Sequence, residues 1–149
     1  MTRKEIIKHL QKFFSIEELV CDHTLKQWGD RSWQFLDTDY MHCLLVIRRD
    51  ILQLPMVCNH GESHQRGLRC NLCQICKDKT DQDQLYLSTH RFGKGGDHTV
   101  KGMTAEQART RIKEQKHLLP CPIRMEKGVN WLHFDVLDQY GTDDKIIEF

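Results

Sequence analysis

Two short stretches of the chain hold the side chains best suited to chemistry. One runs from residue 88 to 97 and the other from residue 131 to 135. Together they contain two imidazoles and a carboxylate, His90, Asp97 and His133. These are the donor types of a catalytic zinc site, in which three protein ligands leave one position for water. A structural zinc site would normally be closed by a fourth protein ligand, usually cysteine, and neither stretch contains one.

The glycines of the first stretch would allow its ligands to meet. Gly93, Gly95 and Gly96 lack a Cβ, so the backbone between His90 and Asp97 can turn tightly and direct both side chains to one metal ion. The sequence therefore predicts a metal-binding turn here. Taken alone, a glycine-rich stretch is also typical of an ordinary turn.

The sequence predicts a strand that includes residues 131 to 135. Alternation along a strand would place His133 and Asp135 on one face and Leu132 and Phe134 on the other. A histidine beside a tryptophan is, taken alone, also typical of a hydrogen-bonded core residue.

The two stretches together match a more specific pattern. Ser-x-His-x-x-Gly-x-(Ala/Gly)-x-Asp followed by (Trp/Phe)-x-His-x-Asp resembles the zinc peptidases of the D-Ala-D-Ala carboxypeptidase and hedgehog-like fold. The resemblance covers nearly the whole chain, from residue 14 to residue 136. The matching residues are Ser88, His90, Gly93, Gly95 and Asp97 in the first motif, and Trp131, His133 and Asp135 in the second.

The resemblance implies a zinc-dependent peptidase, binding Zn²⁺ through His90, Asp97 and His133. Its substrate would be a peptidoglycan stem or cross-bridge peptide, cut by a D-Ala-D-Ala carboxypeptidase or by an endopeptidase of the endolysin type, of phage or bacterial origin. The mechanism would be metal-assisted hydrolysis of a peptide bond.

Arg69 is the next expected catalytic residue. Residues 67–71, Gly-Leu-Arg-Cys-Asn, resemble the Ser-Gly-(Tyr/Leu)-Arg segment of the family, although Gln65 and Arg66 stand where the serine is expected. In the family this arginine points at the substrate near the metal. A guanidinium can bind a carboxylate in bidentate fashion or stabilise a developing oxyanion. The alternative is a surface arginine in a loop.

The general base is less clear from the sequence. Many relatives carry a carboxylate three residues before the last zinc-binding histidine, whereas this chain has Asn130, whose amide does not take up a proton. Asp135 and Glu126 are the nearest substitutes, and Asp135 is the expected catalytic carboxylate. Strand alternation gives Asp135 a second possible role, which is to orient His133.

A second metal site is suggested by the dense cysteines of residues 58–79. Thiolates at Cys-x-x-Cys-x-x-Cys spacing, closed by a further cysteine or a histidine, could bind a structural zinc. The same residues could also be three buried or free thiols. The candidates are Cys58, Cys70, Cys73 and Cys76, with His60 or His64.

Length and composition fit a single domain over residues 1–149. The chain is 39% hydrophobic and 29% charged, as in ordinary globular proteins. A net charge of +1 gives no reason to expect nucleic acid or an anionic membrane as partner. The first residues lack the apolar run of a signal peptide, so we expect cytoplasmic synthesis. Release by a holin or transport in a virion would then bring the protein to the cell wall.

Apolar periodicity and turn residues predict an α+β fold, in which N-terminal helices pack on a small antiparallel sheet that carries the zinc site. The expected helices cover residues 5–14, 38–53 and 104–116, with a short helix after the Ser15–Glu18 capping box. The expected strands cover residues 56–57, 98–101, 123–125 and 131–137, with an edge strand at 146–147.

Two other functions remain open at this point. The chain could be a binding module of a cell wall or virion that kept the zinc fold but lost the base, which the amide of Asn130 favours. It could also be a small zinc-knuckle interaction protein, in which the cysteines are the functional feature and the histidines are incidental.

Overall fold

The computed structural model describes residues 1–62, 65–137 and 144–149. In that part of the chain it contains five α-helices and a five-stranded sheet, so the predicted α+β class is confirmed. None of the helices it describes combines the length and the apolar character needed to cross a membrane.

The helices are short, and most lie in the first half of the chain. A π-helical segment, Ile47–Leu52, continues the third helix, and 3₁₀ turns occur at Ile16–Glu18, Gly29–Phe35 and Lys116–Leu118. The α-helices are α1 (Arg3–Leu10), α2 (Asp22–Trp28), α3 (Thr38–Val46), α4 (Gln74–Asp81) and α5 (Ala105–Glu114).

The sheet is mixed rather than wholly antiparallel. Its spatial order is β1-β2-β4-β3-β5, and every neighbouring pair is antiparallel except β3 and β5, which run parallel. The expected edge strand at residues 146–147 is therefore present. It runs parallel to its neighbour, and alternation along a sequence does not indicate the direction of a strand. The strands are β1 (Met56–Val57), β2 (Gly95–Val100), β3 (Ile123–Met125), β4 (Leu132–Asp135) and β5 (Ile146–Glu148).

The core lies between the helices and one face of the sheet. Tyr40 and Leu44 of α3 are buried there together with Ile47 of the π-helical segment, as the helical stripe predicted. From the sheet, Leu132 and Phe134 of β4 are completely buried in the same core. The opposite faces of β2 and β4 are left for polar side chains.

A short parallel contact joins the N-terminal helical part to the loop before α4. Val20 and Leu68 form an isolated β-bridge. The backbone N–H of Leu68 donates to the carbonyl of Leu19 at 2.9 Å, and the N–H of Cys21 donates to the carbonyl of Leu68 at 2.9 Å. This contact places the start of α2 beside residues 67–70.

Two of the helices were not predicted, and both lack an apolar stripe. Helix α2 buries only Thr24, and α4 buries only Cys76. Both helices begin directly after a cysteine, Cys21 and Cys73 respectively. Since periodic burial is the signal that reveals a helix in a sequence, helices with one buried residue each give almost none.

Arg109 of α5 fixes the loop between β3 and β4. Its side chain is buried, and its guanidinium donates to the carbonyls of Val129 at 3.0 Å, Trp131 at 3.1 Å and Glu126 at 3.3 Å. The same group forms an ion pair with Glu106 at 2.9 Å. One buried cation therefore satisfies three carbonyls of a loop that has little regular structure.

We expect Arg109→Met to lower the free energy of unfolding by about 2–4 kcal/mol, because three partly buried carbonyls lose a charged donor at once. Urea unfolding monitored by circular dichroism measures the change. Arg111→Met, two residues further along the same helix, is the matched control and should shift the free energy by less than about 0.5 kcal/mol. Equal effects of the two substitutions would contradict the role given to Arg109.

Candidate metal sites

The register of β2 and β4 brings two of the expected zinc ligands together. Asp97 and His133 are directly opposite each other in this antiparallel pair. Side chains opposite each other in a sheet lie on the same face, because alternation is the same on both strands. The Nδ1 atom of His133 lies 2.7 Å from Oδ1 of Asp97.

The third expected ligand reaches the same point from the turn before β2. Nε2 of His90 lies 3.6 Å from Oδ2 of Asp97. One donor atom each from His90, Asp97 and His133 falls within 4.8 Å of the other two. The structure thus brings together the three residues that the motifs single out, in a group that could hold a metal ion.

A hydrogen-bond partner on the far side of each ring orients the nitrogen that would bind a metal. Nδ1 of His90 lies 2.9 Å from the carbonyl of Gly67, which only accepts, so this nitrogen carries the proton and Nε2 keeps its lone pair. Nε2 of His133 lies 3.1 Å from Oδ2 of Asp135, and Nδ1 lies 2.7 Å from Oδ1 of Asp97, so both nitrogens of the metal-free ring face carboxylates. A metal bound at Nδ1 would replace the proton on the Asp97 side and leave the proton on Nε2 directed at Asp135. The nitrogens on the Asp97 side, Nε2 of His90 and Nδ1 of His133, are therefore the ones placed to bind a metal.

Asp135 occupies the position of an orienting residue rather than that of a free base. Its side chain is completely buried, and Arg124 donates to both of its carboxylate oxygens at 2.8 and 2.9 Å. Oδ1 also accepts from the backbone N–H of Leu137 at 3.0 Å, and the contact of Oδ2 with His133 fixes the plane of that ring. Of the two roles considered for Asp135, the geometry favours the positioning of His133.

The electrostatics of the three residues reflect their crowding. Burial lowers the pKa of His90 to about 4. Burial also opposes protonation of His133, but its hydrogen bonds to Asp135 and Asp97 outweigh this and raise its pKa to about 9. Burial raises the pKa of Asp97, yet the hydrogen bond with His133 and the nearby charges bring it below its usual value. Without a metal, the protonated ring of His133 supplies the positive charge between the carboxylates of Asp97 and Asp135.

Two of the three expected glycines have separate roles. Gly93 has φ +64° and forms the turn, and a Cβ there would collide with the carbonyl of Phe35. Gly95 lies in β2, where a Cβ would come within 2.5 Å of the Cβ of Asp135. The prediction of a tight turn therefore applies to Gly93, whereas Gly95 allows close packing of β2 on β4.

Arg69 lies beside the three candidate ligands. Its backbone N–H donates to the carbonyl of His90 at 2.9 Å. Nη2 is 3.8 Å from Oδ2 of Asp97, and Nη1 donates to the hydroxyl of Tyr86 at 2.6 Å, while Nε donates to the carbonyl of Gln65. The guanidinium is thus held at the edge of the candidate metal site.

A pocket of about 370 Å³ opens over these groups. Glu126 lines this pocket, whereas Asn130 lines a separate pocket next to His98 and Arg109. Asn130 therefore lies away from this site. Among the described residues that line the pocket, Glu126 is the carboxylate that is neither a candidate ligand nor paired with His133. The wall of the pocket is completed by the apolar side chains of Leu87, Trp131, Leu137 and Phe149.

A second group of metal-ligating side chains is present, with different members from those predicted. Cys21, His23, Cys70 and Cys73 offer four donor atoms that all lie within 4.8 Å of one another. This Cys/His cluster could bind a metal ion. Cys70 and Cys73 were predicted, whereas Cys21 and His23 come from the unpredicted helix α2 and the residue before it.

The other predicted members of the second site lie elsewhere. Cys58 is buried in the main core, where burial raises the pKa of its thiol to about 12. Cys76 packs against the cluster without belonging to the group of donors, and His60 contacts Arg66 at 3.0 Å. His64 lies outside the described residues.

The thiols of the cluster influence one another's ionisation. Burial opposes ionisation of Cys21, but the hydrogen bonds that its sulfur accepts from Thr24 outweigh this and lower its pKa to about 6. Burial and the neighbouring Cys21 sulfur raise the pKa of Cys73. Several thiolates in so small a space repel each other, so their joint ionisation requires a cation.

Comparison with known protein families, curated proteins and solved structures finds no match for this chain. The resemblance to zinc peptidases therefore rests on the two motifs and on the Arg69 segment.

Asp135→Asn should weaken zinc binding at the three-ligand site by about 10–100-fold, because an amide holds His133 less firmly and makes it a poorer donor. Competition with a chromophoric chelator measures the affinity. The exposed Asp81→Asn on α4 is the control and should leave the affinity unchanged. An unchanged affinity in the Asp135 variant would show that its contact with His133 has no bearing on the metal.

Proposed function

We propose that this protein is a zinc-dependent peptidase that hydrolyses peptidoglycan stem or cross-bridge peptides. It would act as a D-Ala-D-Ala carboxypeptidase or as an endopeptidase of the endolysin type. The observation that carries this proposal is the convergence of His90, Asp97 and His133 beneath a pocket that Arg69 also lines. The motif resemblance supports the choice of substrate.

The donor set fits zinc. Two imidazole lone pairs and one carboxylate oxygen are a common protein contribution to catalytic zinc sites. The orientation of both imidazoles by acceptors behind them, Gly67 and Asp135, is typical of metal-binding histidines. The absence of a fourth protein donor in the described part of this group leaves room for water or substrate.

When bound, Zn²⁺ would supply a Lewis acid for the scissile carbonyl and lower the pKa of a bound water. Glu126, in the same pocket, would take the proton from the attacking water and deliver it to the leaving amine. Arg69 would bind the carboxylate or the developing oxyanion of the substrate. Asp135 would keep His133 in position throughout.

The pocket suits a short peptide with small side chains. The floor of the pocket is polar, and it would be cationic with a metal bound, whereas Leu87, Trp131 and Phe149 form apolar walls. A peptide ending in a carboxylate and a methyl side chain presents both kinds of surface. A holin or a virion would give such an enzyme access to the cell wall.

The first test is release of peptides from purified sacculi by the zinc-loaded protein, followed by mass spectrometry. Glu126→Gln should lower kcat by about 10²–10⁴-fold, because an amide does not take up the proton. Its zinc content should be unchanged. The exposed Glu114→Gln on α5 is the matched control and should be as active as the original chain.

One result would count against the peptidase, and another against the role of Glu126 alone. Binding to sacculi with no peptide released by any variant would favour the alternative of a cell-wall-binding module. Full activity of Glu126→Gln would be consistent with a peptidase but would show that Glu126 is not its general base.

Arg69→Lys separates a substrate-binding arginine from a loop residue. A lysine keeps the charge but does not reproduce the planar fork, so kcat/KM should fall by about 10²-fold or more. The zinc content and the far-UV circular dichroism spectrum should be unchanged. Arg111→Lys is the control, and wild-type kcat/KM in Arg69→Lys would show that Arg69 does not act on the substrate.

A further inference from the structure

We propose that Cys21, His23, Cys70 and Cys73 form a second zinc site, structural in role, that anchors the loop carrying Arg69. The existence of this site is independent of the peptidase proposal. Only its effect on catalysis through Arg69 rests on that proposed function.

The spacing of the donor atoms fits a tetrahedral zinc site. With Zn–S bonds of about 2.3 Å, tetrahedral geometry separates two sulfurs by about 3.8 Å. The Sγ atoms of Cys70 and Cys73 are 4.0 Å apart, and Sγ of Cys73 is 3.9 Å from Nδ1 of His23. All four donors lie within 4.8 Å of one another, so little movement would be needed to bind the ion.

The chemistry of the donors indicates a closed structural site. Three cysteines and one histidine complete the four positions of zinc and leave none for water. Thiolates select zinc over the hard cations magnesium and calcium, which prefer oxygen ligands. The group at His90, Asp97 and His133 has the opposite character, since it offers three donors and no thiol.

The backbone around the cluster is arranged for thiolates. The N–H of Leu72 donates to Sγ of Cys70 at 3.3 Å, and the N–H of Cys73 donates to the carbonyl of Cys70 at 3.2 Å, forming a tight turn between the two ligands. Cys73 also stands at the N-terminus of α4, where the helix dipole favours a negative sulfur.

The two halves of the site come from distant parts of the chain. Cys73 and His23 are 50 residues apart in sequence. The parallel contact of Val20 with Leu68 aligns the two segments, and it is only one bridge long. A metal bound to both segments would therefore add a firm connection where the backbone provides a short one.

The apolar core around this cluster is small. Among the described residues, this small apolar cluster contains, apart from the cysteines, only Ile75 and Tyr86, both partly exposed. Helices of seven and eight residues with one buried side chain each are marginal by themselves. Zinc binding at a structural site contributes directly to folding free energy, which would compensate for the missing core.

The site would act on Arg69 because the two are adjacent. Cys70 follows Arg69 directly, and the N–H of Arg69 is bonded to the carbonyl of His90 on the opposite side. Arg69 would thus be held between the two metal sites. Loss of the structural zinc should release the loop on one side and displace the guanidinium from Asp97.

The experiment counts zinc by inductively coupled plasma mass spectrometry on the purified full chain and its variants. The unmodified chain should hold two zinc ions, and Cys70→Ser should hold one. His133→Ala should also hold one, and in that variant a chelator should still lower Tm by about 5 °C or more, because the structural zinc remains. Cys121→Ser, a similarly half-buried cysteine outside the cluster, is the matched control and should hold two.

Cys76→Ser distinguishes the ligand set of the structure from the one that the cysteine spacing alone suggests. It should also hold two zinc ions, because Cys76 is not among the four donors. One zinc in Cys76→Ser together with two in Cys73→Ser would overturn the assignment of the ligands.

Cobalt substitution provides a readout that does not depend on the folding of a cysteine variant. Co²⁺ added to the metal-free original chain should give the thiolate-to-cobalt charge-transfer absorption that only sulfur ligands produce, and it should persist in His133→Ala. The absence of this absorption would overturn the proposal. So would a single zinc ion in the original chain that is lost in His133→Ala but kept in Cys70→Ser, since that zinc would belong to the three-ligand site. A single zinc ion that is lost in Cys70→Ser but kept in His133→Ala would support the structural site and count against the proposed peptidase.

Discussion

The pairing of β2 with β4 is the constraint on which the candidate active site depends. The register places Asp97 opposite His133, and Gly95 opposite Asp135, in one antiparallel ladder. A slip of one residue would exchange the faces of β4, moving His133 into the core and Phe134 into the pocket. The burial of Phe134 against Tyr40 of α3 therefore fixes the position of the polar residues on the other face.

Most of this site could be predicted because its ligands lie within recognisable local patterns. His90 and Asp97 belong to one short motif, and the alternation of residues 132–135 separates the polar side chains from the apolar ones. The helix from residue 38 was also evident, since Tyr40, Leu44, Ile47 and Ile51 form a stripe that is buried in the structure. For the strand and the helix the signal was the repeat of apolar residues at the period of the element, whereas for His90 and Asp97 it was the motif itself.

The parts that could not be predicted depend on contacts between distant segments. Cys21 and His23 gave no sign of their partners, because nothing near them in sequence indicates that Leu68 pairs with Val20. The separation of Asn130 from the metal pocket is likewise a result of the loop geometry fixed by Arg109. The parallel orientation of β5 is a further example, since period-two alternation is the same for both directions of a strand.

The order of strands in the sheet also has a consequence for synthesis of the chain on the ribosome. In the sheet, β2 lies between β1 and β4. In the sequence, however, β4 comes well after β2, and Asp97 and His133, which are paired across the two strands, are 36 residues apart. The backbone groups of β2 that face β4 therefore remain unpaired while residues 101–131 are being made. An unpaired strand edge is a site of non-native pairing, and Asp97, a charged residue near the centre of β2, is the type of side chain that discourages it. The carboxylate proposed to bind zinc in the folded protein would thus protect its strand from aggregation before folding is complete.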